Sequence, residues 1–289
     1  MENNKLIKNN QTGTTMSSKG AEAADLLSNN TDELQQLEIT GPGHLPAGGA
    51  AMGIVIHKAG TRGHANHGWL DSKQSFSFAD YYNPGRMHFG VLRVLNDDVV
   101  DPGMGFGRHP HDNMEIISIP LEGTLEHTDS MNNVAVIQPG DIQAMSAGTG
   151  IFHTEYNKSS EQPARFLQIW LFPKRKNTPP RYGQVSLNVN DRHNKLQQVV
   201  SPNPGEEGVW INQDAWFHLG RFDKGFSISY QLKNPTNGVY AFIITGDITI
   251  AGNILNERDG AGIWNTNEIG LKANSQGAEI LLMEVPMGI

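Results

Sequence analysis

Beyond residue 52 the chain is written in short apolar runs broken by turn residues, a spacing that leaves room for strands but not for helices of ordinary length. Glu115-Ile116-Ile117-Ser118-Ile119, Val134-Ala135-Val136-Ile137, Phe166-Leu167-Gln168-Ile169-Trp170-Leu171 and Tyr240-Ala241-Phe242-Ile243-Ile244 lie between signals containing Gly, Asp, Asn or Pro. Closely spaced strands with tight turns make an antiparallel sandwich or barrel. No helix and strand alternation of the parallel kind is visible. The punctuation also recurs. Leu121-Glu122-Gly123-Thr124-Leu125 leads to Pro139-Gly140-Asp141, and Ile244-Thr245-Gly246-Asp247-Ile248 leads to Asp259-Gly260-Ala261-Gly262. We expect an all-β fold with one β-barrel used twice in tandem.

The two copies differ in chemistry. His109-Pro110-His111 and His153-Thr154-Glu155 each place two metal-binding side chains on one face of an extended strand, because alternate residues share a face. His109, His111, His153 and Glu155 can therefore converge between two strands. Neutral imidazoles with one carboxylate suit a divalent first-row ion and leave positions open for other ligands. Beyond Pro180 the only histidines are His193 and His218, too far apart for an i, i+2 pair. Only the first copy is expected to hold a metal in this way.

Residues 1–51 have another texture, rich in Asn, Gln, Ser, Thr, Gly and Ala, and bury too little apolar surface to offset ordering entropy. We expect 1–51 to be a disordered extension or tag, 52–180 a metal-binding domain and 181–289 a second domain without metal. The chain has 289 residues, 30 acidic against 22 basic, and its one basic run is Lys174-Arg175-Lys176, so it lacks the electrostatic footprint of a nucleic-acid binder. With no cysteine, thiolate sites and disulfides are excluded, and a reducing compartment is consistent. No apolar run approaches the ~20 residues of a membrane span. The expectation is a soluble cytoplasmic protein without membrane or direct nucleic-acid contact.

Gly63-His64-Ala65-Asn66-His67-Gly68-Trp69-Leu70-Asp71-Ser72, the His109 pair, His127-Thr128-Asp129-Ser130, and Ser146-Ala147-Gly148-Thr149-Gly150-Ile151-Phe152-His153-Thr154-Glu155-Tyr156 together resemble the pirin family. The likeness runs from about Met52 to the C-terminus and is strongest between Gly63 and Tyr182. It implies a bicupin, two jelly-roll β-barrels with metal in the first, and ligands at His109, His111, His153 and Glu155. It also implies iron, although nitrogen and oxygen donors equally accept Mn, Ni, Cu, Co or Zn. Bacterial relatives of this kind are described as quercetin 2,3-dioxygenases. The resemblance thus implies a small aromatic substrate and dioxygen, ring opening with loss of carbon monoxide, and Glu155 as the group accepting the substrate's proton. Two alternatives use the same ligands: an iron-dependent redox-sensing protein that regulates a protein partner, and an isomerase-like or lyase-like cupin with a redox-inert ion. A monomer is the default for this type.

Several neighbours have structural readings. Glu115 competes for the carboxylate role, since many cupins take a glutamate a few residues after the second histidine. His64 and His67 read as part of a Gly-Trp-rich turn, and His127 as a hairpin residue. Met114 and Phe152 point away from the metal by strand alternation. Gly148 and Gly150 are expected to let the chain turn before the second ligand strand, where φ is positive or a side chain would collide.

Overall fold

The computed structural model describes residues 51–289, so all but the last residue of the expected N-terminal extension lies outside the described residues. Among the described residues the alternating runs become twenty-two strands. The first twelve are β1 (Gly53–His57), β2 (Gly63–Asn66), β3 (Leu70–Gln74), β4 (Leu92–Val100), β5 (Gly105–His111), β6 (Glu115–Glu122), β7 (Leu125–Asp129), β8 (Val134–Ile137), β9 (Asp141–Ser146), β10 (Ile151–Tyr156), β11 (Ala164–Leu171) and β12 (Arg181–Ser186). The remainder are β13 (Leu196–Ser201), β14 (Val209–Trp210), β15 (Trp216–Phe222), β16 (Ser227–Gln231), β17 (Asn237–Thr245), β18 (Ile248–Ile250), β19 (Asn253–Leu255), β20 (Gly260–Trp264), β21 (Glu268–Ala273) and β22 (Ala278–Pro286). Among the described residues no helix is long and apolar enough to cross a membrane.

Two seven-stranded sheets, β12-β9-β6-β11-β4-β3-β2 and β1-β20-β17-β22-β15-β13-β14, each face a four-stranded sheet, β5-β10-β7-β8 or β16-β21-β18-β19. The two halves match strand for strand except at one outer edge, where β2 pairs antiparallel with β3 but β14 pairs parallel with β13. The recurring punctuation marks corresponding turns: Gly123 and Gly246, both at positive φ, sit in the β6–β7 and β17–β18 connections, each of which carries the chain from a large sheet to a small one and does not close a hairpin.

Strand alternation sorts the side chains into layers. Leu95, Ile117, Ile142 and Leu167 of one large sheet pack with Phe217, Tyr240, Leu281 and Met283 of the other, so the two large sheets lie face to face. Each buried aliphatic or aromatic side chain contributes about 1.5–3 kcal/mol, which makes this continuous core the main bond between the halves. Within it Asp97 lies between Arg62 at 3.3 Å and Arg258 at 3.5 Å. The interior of the second barrel is mostly one apolar cluster, including Val239, Ile243, Ile280 and Leu271, with His218 and Glu284 as buried polar exceptions.

The sheets divide the chain differently from a cut after residue 180. β12 pairs with β9 of the first half, while β1, the first of the described strands, pairs with β20 of the second. Each occupies the same edge position in its own large sheet. Both partners are remote in sequence, and strand alternation carries no information about which edge a strand will find.

Candidate metal centre

β5 and β10 pair antiparallel with His109 opposite His153 and His111 opposite Ile151. Because the buried positions of β10 are Ile151, His153 and Glu155, both ligand candidates on that strand face inward. A register shift between His153 and Glu155 sets Glu155 opposite Phe106, a bulge of the kind that re-aims a side chain. The preceding turn needs its glycines. Gly148 has φ +52°, and a Cβ there would collide with Thr178 O, while Gly150 has φ +130°.

His109, His111 and His153 bring ligand nitrogens within 4.8 Å of one another. Their ring centroids lie 4.3–4.9 Å apart. His109 Nδ1 donates to Gly107 O at 2.7 Å, which leaves its Nε2 free. His111 Nδ1 and His153 Nε2 are buried without any partner. Burial lowers His109 to about 4 and holds His111 and His153 well below the ordinary imidazole value, so all three present lone pairs at neutral pH. Three clustered neutral imidazoles with orphaned nitrogens suit a divalent ion.

Glu155 falls in a second group with His127 and His153, within the same 4.8 Å limit, and not in the group of His109 and His111. Gln168 Nε2 donates to its Oε2 at 2.9 Å, and Ser118 Oγ lies 3.3 Å from its Oε1. Burial pushes Glu155 up to about 7 against these two bonds. Glu115, the competing carboxylate, faces the other way. Its Oε2 accepts from Ser146 Oγ at 2.7 Å and from Asn212 N at 3.0 Å, tying the first half to the second. Ile116 and Ser118, one residue out of phase with Glu115, point into the barrel instead.

His127, read from sequence as a hairpin residue, is 1% exposed on β7 and reaches the site. Its Nδ1 lies 3.4 Å from His153 Nδ1 and its Nε2 lies 3.3 Å from Asp129 Oδ2. One tautomer pattern satisfies both contacts. His153 donates to His127, His127 donates to Asp129, and His153 Nε2 is left for a metal. Asp129 is fixed by Met131 N, Asn133 N and Asn133 Nδ2. The i, i+2 spacing of His127 and Asp129 was the available signal. Among the other neighbours, His64 is exposed and 3.1 Å from Asp71, Met114 packs with Ile116 and Trp170, and Phe152 lies outside under Arg108. His64 and His67 both line the mouth of a cavity.

That cavity, of about 260 Å³, lies beside the histidines and is walled by Trp69, Phe78, Tyr81, Phe106 and Trp170. The facing large sheet contributes a row of polar side chains in register across five strands: Gln74, Asn96, Gln168, Ser118 and Gln143. This belt separates two apolar clusters, one around Phe106 and Phe166 and one around Ile116 and Trp170. In the second large sheet a row across four strands reads His218, Leu282, Ala241 and Ala261. The same architecture is filled with polar groups in one half and largely with apolar ones in the other. Asp98, in the row next to the belt, is driven up to about 7 by burial, which outweighs the Ser72 hydroxyl beside it.

The pirin family description matches residues 55–171, and that of a quercetinase C-terminal cupin domain matches residues 198–285. Quercetin 2,3-dioxygenase of Escherichia coli K12 is 42% identical over 233 residues, covering 81% of this chain and 99% of its own. A pirin-like protein of Caulobacter vibrioides is 38% identical, covering 77% and 95%. The crystal structure of the Escherichia coli pirin YhhW in complex with nickel(II) superposes with a TM-score of 0.76 at 41% identity, covering 82% of this chain and 100% of that one.

Proposed function

The chain belongs to the pirin family, and from that membership and the built site we propose that it is a metal-dependent oxidoreductase opening the ring of flavonol-type aromatics with dioxygen. His109, His111, His153 and Glu155 would hold the metal, iron by family likeness, with nickel the ion in the Escherichia coli pirin complex. The observation carrying this reading is the convergence of three neutral, buried imidazoles beside an aromatic-walled cavity. When bound, a divalent ion there lowers the pKa of a hydroxyl oxygen brought against it.

The chain's own groups do the rest. Trp69, Phe106 and Trp170 give a flat ring apolar surfaces and keep water from it. Glu155, which lines the cavity beside His109 and His111, accepts the hydroxyl proton at a carboxylate oxygen. Gln168 and Ser118 fix that carboxylate's orientation. In the overall reaction both atoms of dioxygen enter the products, one ring carbon leaves as carbon monoxide, and the remainder is a ring-opened ester.

A redox-sensing binding protein needs no cavity of this kind, which is why the catalytic reading is preferred. Metal content and oxygen uptake with quercetin test it together. Metal should be bound by the wild type and lost in a His109→Ala, Glu155→Ala double variant, and oxygen consumption should track it. A folded, metal-loaded protein that consumes no oxygen with quercetin would overturn the dioxygenase assignment.

A further inference from the structure

The polar belt continues into the cavity wall with more acceptors than the fold uses. Gln74, Asn96 and Asp98 are 2%, 2% and 3% exposed, and each carries a buried oxygen without a hydrogen-bond partner: Gln74 Oε1, Asn96 Oδ1 and Asp98 Oδ1. All three residues line the cavity. Gln74 and Asn96 stand side by side on β3 and β4, and Asp98 is the next inward residue along β4. A buried acceptor left unpaired costs about 1–3 kcal/mol. Three such acceptors in one cavity wall call for partners that the surrounding side chains do not supply. The neighbouring carboxylate does not call on them, because Glu155 takes its bonds from Gln168 and Ser118.

We propose that Gln74, Asn96 and Asp98 form a recognition wall that accepts hydrogen bonds from ring hydroxyls of a flat, polyhydroxylated aromatic lying beside the histidines. This rests on the flavonol reading above and narrows it: the wall selects for hydroxyls remote from the reacting one. Apolar burial alone favours the less hydroxylated ligand. The wall reverses that order, since a ligand lacking those hydroxyls leaves the acceptors unpaired.

The test compares two probes on the metal-loaded full chain without oxygen, by titration calorimetry. Quercetin carries the ring hydroxyls, whereas 3-hydroxyflavone has the same ring system and 3-hydroxyl without them. Quercetin should bind the wild type at least about tenfold tighter, the equivalent of one or two hydrogen bonds. Asn96→Leu, close in volume but unable to accept, should lower that preference about tenfold. Equal affinities, or a preference that survives both Asn96→Leu and Asp98→Leu, would overturn the wall and leave the flavonol reading standing. If neither probe binds, both fall. Should the variants not fold, as judged by circular dichroism, the wild-type ratio decides alone.

Discussion

Replacing His127 by Phe separates the two ways in which the buried histidines can work. Phe retains a ring against Tyr182, whose centroid lies 4.8 Å from that of His127, but removes the acceptor for His153 and the donor to Asp129. If His127 orients His153, its loss weakens metal binding through the ligand's tautomer and angle, and partners of that kind are worth 10–100-fold. Both contacts are long, at 3.4 and 3.3 Å, so the lower end applies: about tenfold, or ~1.4 kcal/mol. Competition against a chromophoric chelator gives the affinity directly, and a cobalt-loaded spectrum reports the ligand set. The expected result is a tenfold weaker site with an unchanged set of ligand-field bands. Asp129→Asn keeps a side-chain oxygen for Met131 and Asn133 and should weaken binding in the same direction by less. An affinity within twofold of wild type would refute the orienting role. A loss beyond about a thousandfold with altered bands would mean that His127 is itself a ligand, in the group it forms with His153 and Glu155.

Gly148→Ala should cost about 1–3 kcal/mol, because φ is +52° and the added Cβ meets Thr178 O; a melting temperature unchanged from wild type would count against that strain. Asp97→Ala leaves the half-buried Arg62 and Arg258 without their shared carboxylate and should destabilise the folded chain by about 1–3 kcal/mol in urea titration, whereas a loss under 0.5 kcal/mol, roughly that of an exposed pair, would show that solvent screens it. In the metal-free protein, burial lowers His57, His109 and His218 each to about 4 from an unfolded value of 6.5. The unfolded chain therefore binds these protons more readily, so their contribution is complete above about pH 6.5 and is lost as pH falls toward 4. By pH 5 the loss is up to roughly 2 kcal/mol per histidine, and a denaturant midpoint that stays level from pH 6.5 to 5 would contradict it.

Much of the site was legible because it is local. His109 with His111 and His153 with Glu155 share faces by strand geometry alone, and Gly148 and Gly150 announced the turn that delivers the second pair. The recurrence of turn signals implied one barrel used twice, as the corresponding sheets show, although those turns join two sheets instead of closing hairpins. His127 with Asp129, and the alternation Ser72, Gln74 and Asn96, Asp98, were equally present in the sequence, yet a polar i, i+2 pattern reads as a solvated face until the partner sheet is known.

What periodicity cannot supply is which face becomes the interior and which strand lies alongside. Glu115 and Glu155 are alike as residues. One bonds Asn212 across the two halves while the other faces the histidines, because their strands present opposite sides to the barrel. The exchange of β1 and β12 between sheets, the belt aligned over five strands and the acceptors left over at Gln74, Asn96 and Asp98 all depend on pairings between residues distant in the chain. Strands, turns and candidate ligands could be read along the chain, since these follow from the torsional and alternating geometry of neighbouring residues. The registry came from pairing between distant strands, and a shift of one residue in it moves every side chain to the opposite face.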